Sequence, residues 1–421
     1  MIVGGIVRVP GDKSITHRAL MLAAMARGTS HIGGALTSLD TRSTAGALRR
    51  LGAGVSPLRA GGLVRVEGRG RLRRPEAPLD CGNSGTTARL LAGLLAAHRF
   101  RATLVGDRSL RRRPMRRVTE PLAAMGAAVD PPGADTLPLT VRGGRLHSVR
   151  WDLPVSSAQI KASILLAAAA AGVSASLREP AGLSRDHTER MLRAFGYGCE
   201  DRAGRIEFTP SGTIEPFDMQ VPGDASSAAF LVGAALLAEG GEVTVADVGV
   251  NPTRSAYLAV LERMGARVEV GGIEDRFGEP VGRITAGPAR LFATEVAGGE
   301  IAGLVDEVPL LAVLASRAEG ETVFREVGEL RVKESDRLAL VAANLRALGT
   351  RAEAVGDTLH VEGGDAPPRG RVTTAGDHRL AMAFAVLGTV RGARVTVDDP
   401  GCVAVSFPGF PAVLRSIRRR A

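Results

Sequence analysis

One pattern recurs six times along this chain of 421 residues. A small or polar turn leads into an Ala/Leu-rich run with helical character, and a β-branched stretch follows. The copies read GDKSITHRALMLAAMARGTSHI from Gly11, GNSGTTARLLAGLLAAHRFRATLVG from Gly82 and SSAQIKASILLAAAAAGVSASL from Ser156. They resume as GDASSAAFLVGAALLAEGGEVTV from Gly223, VDEVPLLAVLASRAEGETVF from Val305 and GDHRLAMAFAVLGTVRGARVTV from Gly376. Successive starts lie about 67 to 82 residues apart, too far for a solenoid repeat.

A second predicted helix closes most copies and ends on an apolar residue followed by glycine: LRRLGAGV at Leu48, LAAMGAAV at Leu122, LRAFGYGC at Leu192, LERMGARV at Leu261 and LRALGTRA at Leu345. Glycine just past the last periodic apolar residue is a helix C-cap, and the stretch beyond it reads as a strand. The sixth copy ends early, at FPAVLRSIRRR. The length calls for two or three domains, and three modules per domain is the natural grouping. The break falls where VPGD at Val221 repeats VPGD at Val9. The expected division is a first lobe over 12–222 and a second over 1–11 and 223–421, with a hinge near 10–12 and 221–223. A single large α/β domain with coincidental similarity is the alternative.

Composition narrows the function. Apolar residues make up 45% and charged residues 23%, a globular balance, and 53 glycines against 3% aromatics imply tight turns and cores of Ala, Leu and Val. No basic start followed by a long apolar stretch marks a signal peptide, so a cytoplasmic protein is expected. The most apolar run, Ile164 to Val173, is half the length of a membrane span and reads as a buried helix. Cys81, Cys199 and Cys402 lack metal-like spacing and fit free thiols in a reducing compartment.

A net charge of +10 raises the question of nucleic acid. Against it, 44 acidic residues are scattered along the chain and no basic segment carries aromatics for stacking bases. Small anionic substrates explain the same charge. Only Lys13, Lys161 and Lys333 are lysines; the other 51 of the 54 basic residues are arginines. A lysine kept against that bias marks a place that needs a compact ammonium.

Four polar motifs sit at helix starts or loops of the modules. Gly11, Asp12, Lys13, Ser14 and Arg18 would aim backbone N–H groups, an ammonium, a hydroxyl and a guanidinium at one anion. The spaced glycine of a Walker A loop is missing. Asn83, Ser84, Gly85, Thr86, Thr87 and Arg89 form the second, with Gly85 allowing close approach to the backbone and Arg113-Pro114 following in a basic loop. The third is Ser156, Ser157, Ala158, Gln159 and Lys161, with Arg185 downstream; such groups suit a phosphorylated, hydroxylated ring. The fourth gathers Asp306 and Glu307, then Arg331, Lys333, Glu334, Asp336 and Arg337, then Asp377, His378 and Arg379, with Glu334 and Arg337 expected on one face of a helix. Each motif alone reads equally well as a helix cap or a surface ion pair. Their recurrence in equivalent places favours one site.

GDKSITHRA, GNSGTT-R, the Arg-Pro loop, S-AQ-K, RVKESDR and GDHR-AM occur in this order in 5-enolpyruvylshikimate-3-phosphate synthases, and the chain resembles that family over essentially its whole length. The resemblance implies an α/β fold of two similar lobes, each of three βαβαββ units around parallel helices (an inside-out α/β barrel), with the substrates between them. It implies shikimate 3-phosphate at Lys13, Ser14, Arg18, Ser157, Ala158, Gln159, Arg185, Asp306 and Lys333, and phosphoenolpyruvate at Lys13, Asn83, Gly85, Arg113, Gln159, Arg337 and Arg379. Asp306 looks like the base for the 5-hydroxyl and Glu334 like the acid for the methylene, with Lys13 as a possible sharer of that role. No cofactor or metal, no nucleic acid or membrane partner, and a monomer are expected. Glyphosate competes for the phosphoenolpyruvate site in this family.

Two positions depart from the family. Many members carry a lysine where this chain has Val405, and Glu329 aligns with a substrate-binding Asn, so neither role is carried over. The related transferase acting on UDP-N-acetylglucosamine usually has Lys-Asn in place of Lys13-Ser14 and a reactive Cys in a mobile loop. Here the loop from Asp107 to Pro114 has no Cys. A binding protein without catalysis is the remaining alternative.

Overall fold

The computed structural model describes residues 1–180 and 182–419. Contacts divide the chain into two compact units: an N-terminal unit of Gly11–Val221 with Asp275–Glu279, and a C-terminal unit of Met1–Pro10, Pro222–Glu274 and Pro280–Ala421.

In the N-terminal unit each copy of the repeat folds as a βαβαββ module. The second module runs through strand Leu79–Asp80, helix Gly85–Ala96, strand Arg101–Val105, helix Arg116–Ala124 and strands Ala128–Asp130 and Leu139–Arg142. Its first two strands pair parallel across the buried helix, and the last two continue the sheet antiparallel. A parallel pair requires such a crossover, which is why an Ala/Leu helix separates the strands in every copy. The third module repeats this with Val149–Asp152, Ala175–Arg178, Arg205–Thr209 and Gly198–Arg202 in sheet order. In the first, the opening strand comes from far along the chain: Asp218–Gln220 pairs parallel with Arg27–Gly33.

The C-terminal unit follows the same plan. Ile2–Val7 supplies the opening strand of its first module, parallel to Gly240–Gly249. Glu295–Val296 and Glu321–Phe324 open the second, and Arg369–Val372 and Arg394–Val397 the third. That last module stops after helix Phe410–Ser416, and Arg418–Arg419 returns to pair antiparallel with Ile2–Val7.

The first helix of each module is buried nearly all round, as its lack of a polar face demands. Every residue of Ala225–Leu236 is buried, and in Lys13–Met25 burial runs unbroken from Ile15. In the C-terminal unit the helices Ala225–Leu236, Val308–Ala315 and His378–Leu387 pack against one another pairwise. Small residues permit the closest approaches: a Cβ added at Gly93 would lie 2.1 Å from the Ser163 carbonyl oxygen of the neighbouring helix.

The second helices end as their sequences require. Gly52, Gly126, Gly196, Gly265 and Gly349 all take positive φ, between 81° and 107°. Beyond each, the next N–H bonds a leucine carbonyl five residues back, from Ala53 to Leu48 through Thr350 to Leu345, at 3.0 to 3.1 Å. This is the Schellman closure. No described helix is long and apolar enough to cross a membrane.

Candidate functional site

Because each buried helix follows a strand, its start emerges where chain direction reverses, and the polar motifs lie there. In the N-terminal unit Asp12 caps Lys13–Met25 by accepting from the Ile15 N–H at 2.8 Å, and Ser84 caps Gly85–Ala96 by accepting from the Thr87 N–H at 3.1 Å. Ser14 and Ser157 take no part in this. Ser157 occupies the N-cap position of Ala158–Ala171, yet its hydroxyl makes no capping bond. That removes the plain-cap reading of Ser157.

The three helix starts are tied together by side chains. Gln159, on the first turn after Ala158, donates through Nε2 to Thr86 Oγ1 at 2.9 Å and accepts from Arg89. Arg89 also donates to the Pro114 carbonyl at 3.0 Å, anchoring the basic loop. From that loop Arg113, largely buried, donates to Asn83 Oδ1, while Asn83 Nδ2 donates to Asp107 at 2.7 Å. Lys13 Nζ lies 3.2 Å from Asp40. A Cβ on Gly85 would meet Arg113 Nη1 at 3.4 Å and Arg89 Nη1 at 3.6 Å, so the glycine opens a small space beside two guanidinium groups.

Arg18 is buried, with Nε donating to Thr188 Oγ1 at 2.6 Å and Nη1 to the Ser14 carbonyl at 3.0 Å. Burial brings its pKa down to about 10; Glu189 and Asp12 act against this, and the like charge of Arg185 adds to it. A phosphate between two such guanidinium groups would offset the repulsion between them. Lys13, Arg18, Arg89, Arg113 and Arg185 make this unit's cluster cationic.

Beneath it, His17 Nδ1 meets Thr44 Oγ1 at 2.7 Å, Thr44 meets Thr87 at 2.7 Å, and Thr87 donates to Ser84 at 2.8 Å. Burial first, then Lys13 and Arg18, hold the His17 pKa well below its usual value, and burial lowers His98 as well. In the unfolded chain both histidines take a proton as pH falls through about 6.5, while the folded chain resists. Stability is therefore full above that pH and declines below it, by at most about 1.4 kcal/mol per pH unit for each histidine. The thermal midpoint is expected to fall between about pH 7 and pH 5, and less so in His17→Gln. A midpoint flat over that range in the parent would contradict this.

The C-terminal unit carries the opposite balance. Arg337, fully buried at the start of helix Arg337–Ala347, donates through Nε to Asp377 Oδ2 at 2.8 Å, through Nη1 to Asp306 Oδ1 at 3.1 Å and through Nη2 to Glu334. Burial works against its charge, but Asp377, Glu334 and Asp306 outweigh it and raise its pKa. Asp377 sits lower than usual, because Arg337 overcomes the effect of its own burial. These are not surface ion pairs. Asp306 and Glu334 keep partial exposure, with side chains 13% and 24% accessible.

Glu334 is not on the helix, contrary to expectation. Asp336 caps that helix by accepting from the Ala339 N–H at 3.0 Å, so Glu334 lies in the turn before it and reaches Arg337 across the helix start. Lys333 precedes it, just after the short helix Gly328–Val332. Arg379, on the first turn of His378–Leu387, donates to the Asp306 carbonyl at 3.2 Å and to Glu307 at 3.3 Å.

Glu307 is the hub of this unit. It accepts both oxygens' worth of bonds from Arg254 at 3.1 Å, and a bond from Ser226 at the start of the neighbouring helix. Arg254, Ser226, Asp40 and Thr44 were not foreseen as participants. Arg254 and Asp40 lie in or just after the loop following the second strand of their modules, and that equivalence was the available signal.

The chain as a whole has relatives among known proteins. A family model described as EPSP synthase (3-phosphoshikimate 1-carboxyvinyltransferase) matches residues 2–414. A 3-phosphoshikimate 1-carboxyvinyltransferase of Thermus thermophilus is 49% identical over 96% of this chain and 94% of its own length. One of Phenylobacterium zucineum is 46% identical over 98% and 92% respectively. Among solved structures, EPSP synthase from Acinetobacter baumannii superposes with a TM-score of 0.87 at 38% identity, covering 99% of this chain and 96% of that one. The enolpyruvyl transferase NikO from Streptomyces tendae, at 20% identity, 99% and 95% coverage and a TM-score of 0.77, shares the fold. The chain belongs to the EPSP synthase (3-phosphoshikimate 1-carboxyvinyltransferase) family.

Proposed function

We propose that this chain transfers the enolpyruvyl group of phosphoenolpyruvate to the 5-hydroxyl of shikimate 3-phosphate, releasing phosphate, in the shikimate pathway to aromatic amino acids. The observation that carries the reading is Arg337, a single buried guanidinium that holds Asp306 on one terminal nitrogen and Glu334 on the other. Addition of an alcohol to an enol phosphate needs a base at the hydroxyl and an acid at the methylene, and here two carboxyl groups are spaced by one guanidinium.

Asp306 accepts the proton of the 5-hydroxyl as its oxygen bonds to C2 of phosphoenolpyruvate, and Glu334 delivers a proton to C3, turning methylene into methyl. The tetrahedral intermediate then loses phosphate with the electron pair of the C–O bond, and the Glu334 carboxylate takes back a proton from the methyl group to restore the double bond. The nearby carboxylates favour the cationic character that develops at C2. The cationic cluster of the other unit takes the anions: Lys13, Ser14, Arg18, Ser157, Ala158, Gln159 and Arg185 with Asp306 and Lys333 for shikimate 3-phosphate, and Lys13, Asn83, Gly85, Arg113 and Gln159 with Arg337 and Arg379 for phosphoenolpyruvate. Bidentate guanidinium pairing suits both phosphate and carboxylate. We place the reaction in the cytoplasm and the protein as a monomer.

The test is a coupled phosphate-release assay. Release is expected only with both substrates together. Release with UDP-N-acetylglucosamine in place of shikimate 3-phosphate, or binding of both substrates without release, would overturn the reading.

A further inference from the structure

Lys161 belongs to neither cluster, yet it is one of only three lysines and its side chain is wholly buried. Its ammonium lies 2.9 Å from Glu179 Oε2 and 2.7 Å from Glu189 Oε1, and donates to the Ser184 carbonyl at 3.1 Å. Three donors thus meet three acceptors, a tetrahedral match that a planar guanidinium does not offer. Burial works against the charge, but Glu189 and Glu179 outweigh it.

The knot grips the segment that carries Arg185. Glu179 accepts from the Ser184 N–H at 3.0 Å and from its hydroxyl at 2.5 Å, so every polar group of Ser184 is held. Glu189 adjoins Thr188, whose hydroxyl accepts from Arg18 Nε. One ammonium does not neutralise two buried carboxylates, and Arg18 supplies the second positive charge, with Glu189 its strongest electrostatic support.

We propose that Lys161 is a positioning residue for the phosphate of the phosphorylated acceptor: through Glu179 and Glu189 it fixes Arg185 and orients Arg18, the two guanidinium groups that take that phosphate. The proposal rests on shikimate 3-phosphate being the acceptor. Without the ammonium, the Ser184 carbonyl loses its donor and the uncompensated carboxylates compete with the substrate phosphate for Arg18. Of the groups assigned to phosphoenolpyruvate, Gln159 shares the helix Ala158–Ala171 with Lys161, while Asn83, Gly85 and Arg113 belong to other segments of the chain.

Steady-state kinetics on Lys161→Met tests this, with each substrate varied at saturating concentration of the other. The Michaelis constant for shikimate 3-phosphate is expected to rise at least about tenfold, the scale of one lost charge-assisted hydrogen bond, while that for phosphoenolpyruvate stays within about twofold. A merely structural lysine would lower the thermal midpoint and leave both constants unchanged, or raise both alike. Either result overturns the proposal. Should Lys161→Met not fold, the double variant Lys161→Met with Glu189→Gln removes one charge of each sign and is expected to raise the same Michaelis constant by a smaller factor, through the Ser184–Arg185 segment alone; unchanged constants there would overturn the proposal. Failure of the acceptor assignment would appear separately, as absence of turnover with shikimate 3-phosphate in the parent protein.

Discussion

Asp306→Asn is expected to keep shikimate 3-phosphate binding within about tenfold of the parent while lowering turnover by roughly a hundredfold or more, the usual scale for a lost general base. The geometry separates the two effects. An asparagine carbonyl oxygen can still accept from Arg337 Nη1, which now lies 3.1 Å from Asp306 Oδ1, and Arg337 keeps Asp377 and Glu334 as counter-charges. The buried guanidinium is therefore not orphaned, and the stability cost that follows removal of a buried partner does not arise in full. An amide has no useful basicity for an alcohol, so the loss falls on the chemical step. Single-turnover kinetics beside calorimetric titration reads both quantities. Near-normal turnover would remove Asp306 from the role of base, and binding lost in proportion to turnover would make it a binding group only.

How far the sequence foretold this depends on whether a feature is set locally. The helix starting at Lys13 and the five glycines closing the second helices are local chemistry, written within a few residues, and the structure has them where the sequence put them. The cationic character of the first three motifs was legible for the same reason. What escaped was pairing across distance. Nothing near Glu307 in the chain announces that Arg254, 53 positions away, will bond both its oxygens, or that Asp377 will bind Arg337 from 40 positions away. The strand Asp218–Gln220 completes a sheet begun by Arg27–Gly33, a pairing only the whole fold decides. Glu334 was placed on a helix because a spacing of three fits one turn, but Asp336 is the better cap and the helix starts at Arg337, three residues later. Lys161 stood out by composition alone, and its two carboxylates became visible only with the fold.

The alanine variant of Gly85 divides an inhibitor from the substrate it imitates. Glyphosate is expected to inhibit competitively with phosphoenolpyruvate. Gly85 opens the helix Gly85–Ala96 without a positive φ, so alanine fits its backbone and favours the helix. The added methyl would lie 3.4 Å from Arg113 Nη1, 3.6 Å from Arg89 Nη1 and 3.9 Å from Leu110 Cδ1, all ordinary contacts, so the ligand-free protein has no reason to shift. The thermal midpoint should hold or rise slightly. The methyl instead fills space beside the guanidinium of Arg113, where a bound anion would sit. A ligand longer than phosphoenolpyruvate meets it first, and the inhibition constant should rise by a larger factor than the Michaelis constant for phosphoenolpyruvate. Competition kinetics on both proteins decides the matter: equal losses for inhibitor and substrate would mean that Gly85 does not discriminate by size, and an insensitive parent would mean that this space is not where phosphoenolpyruvate binds.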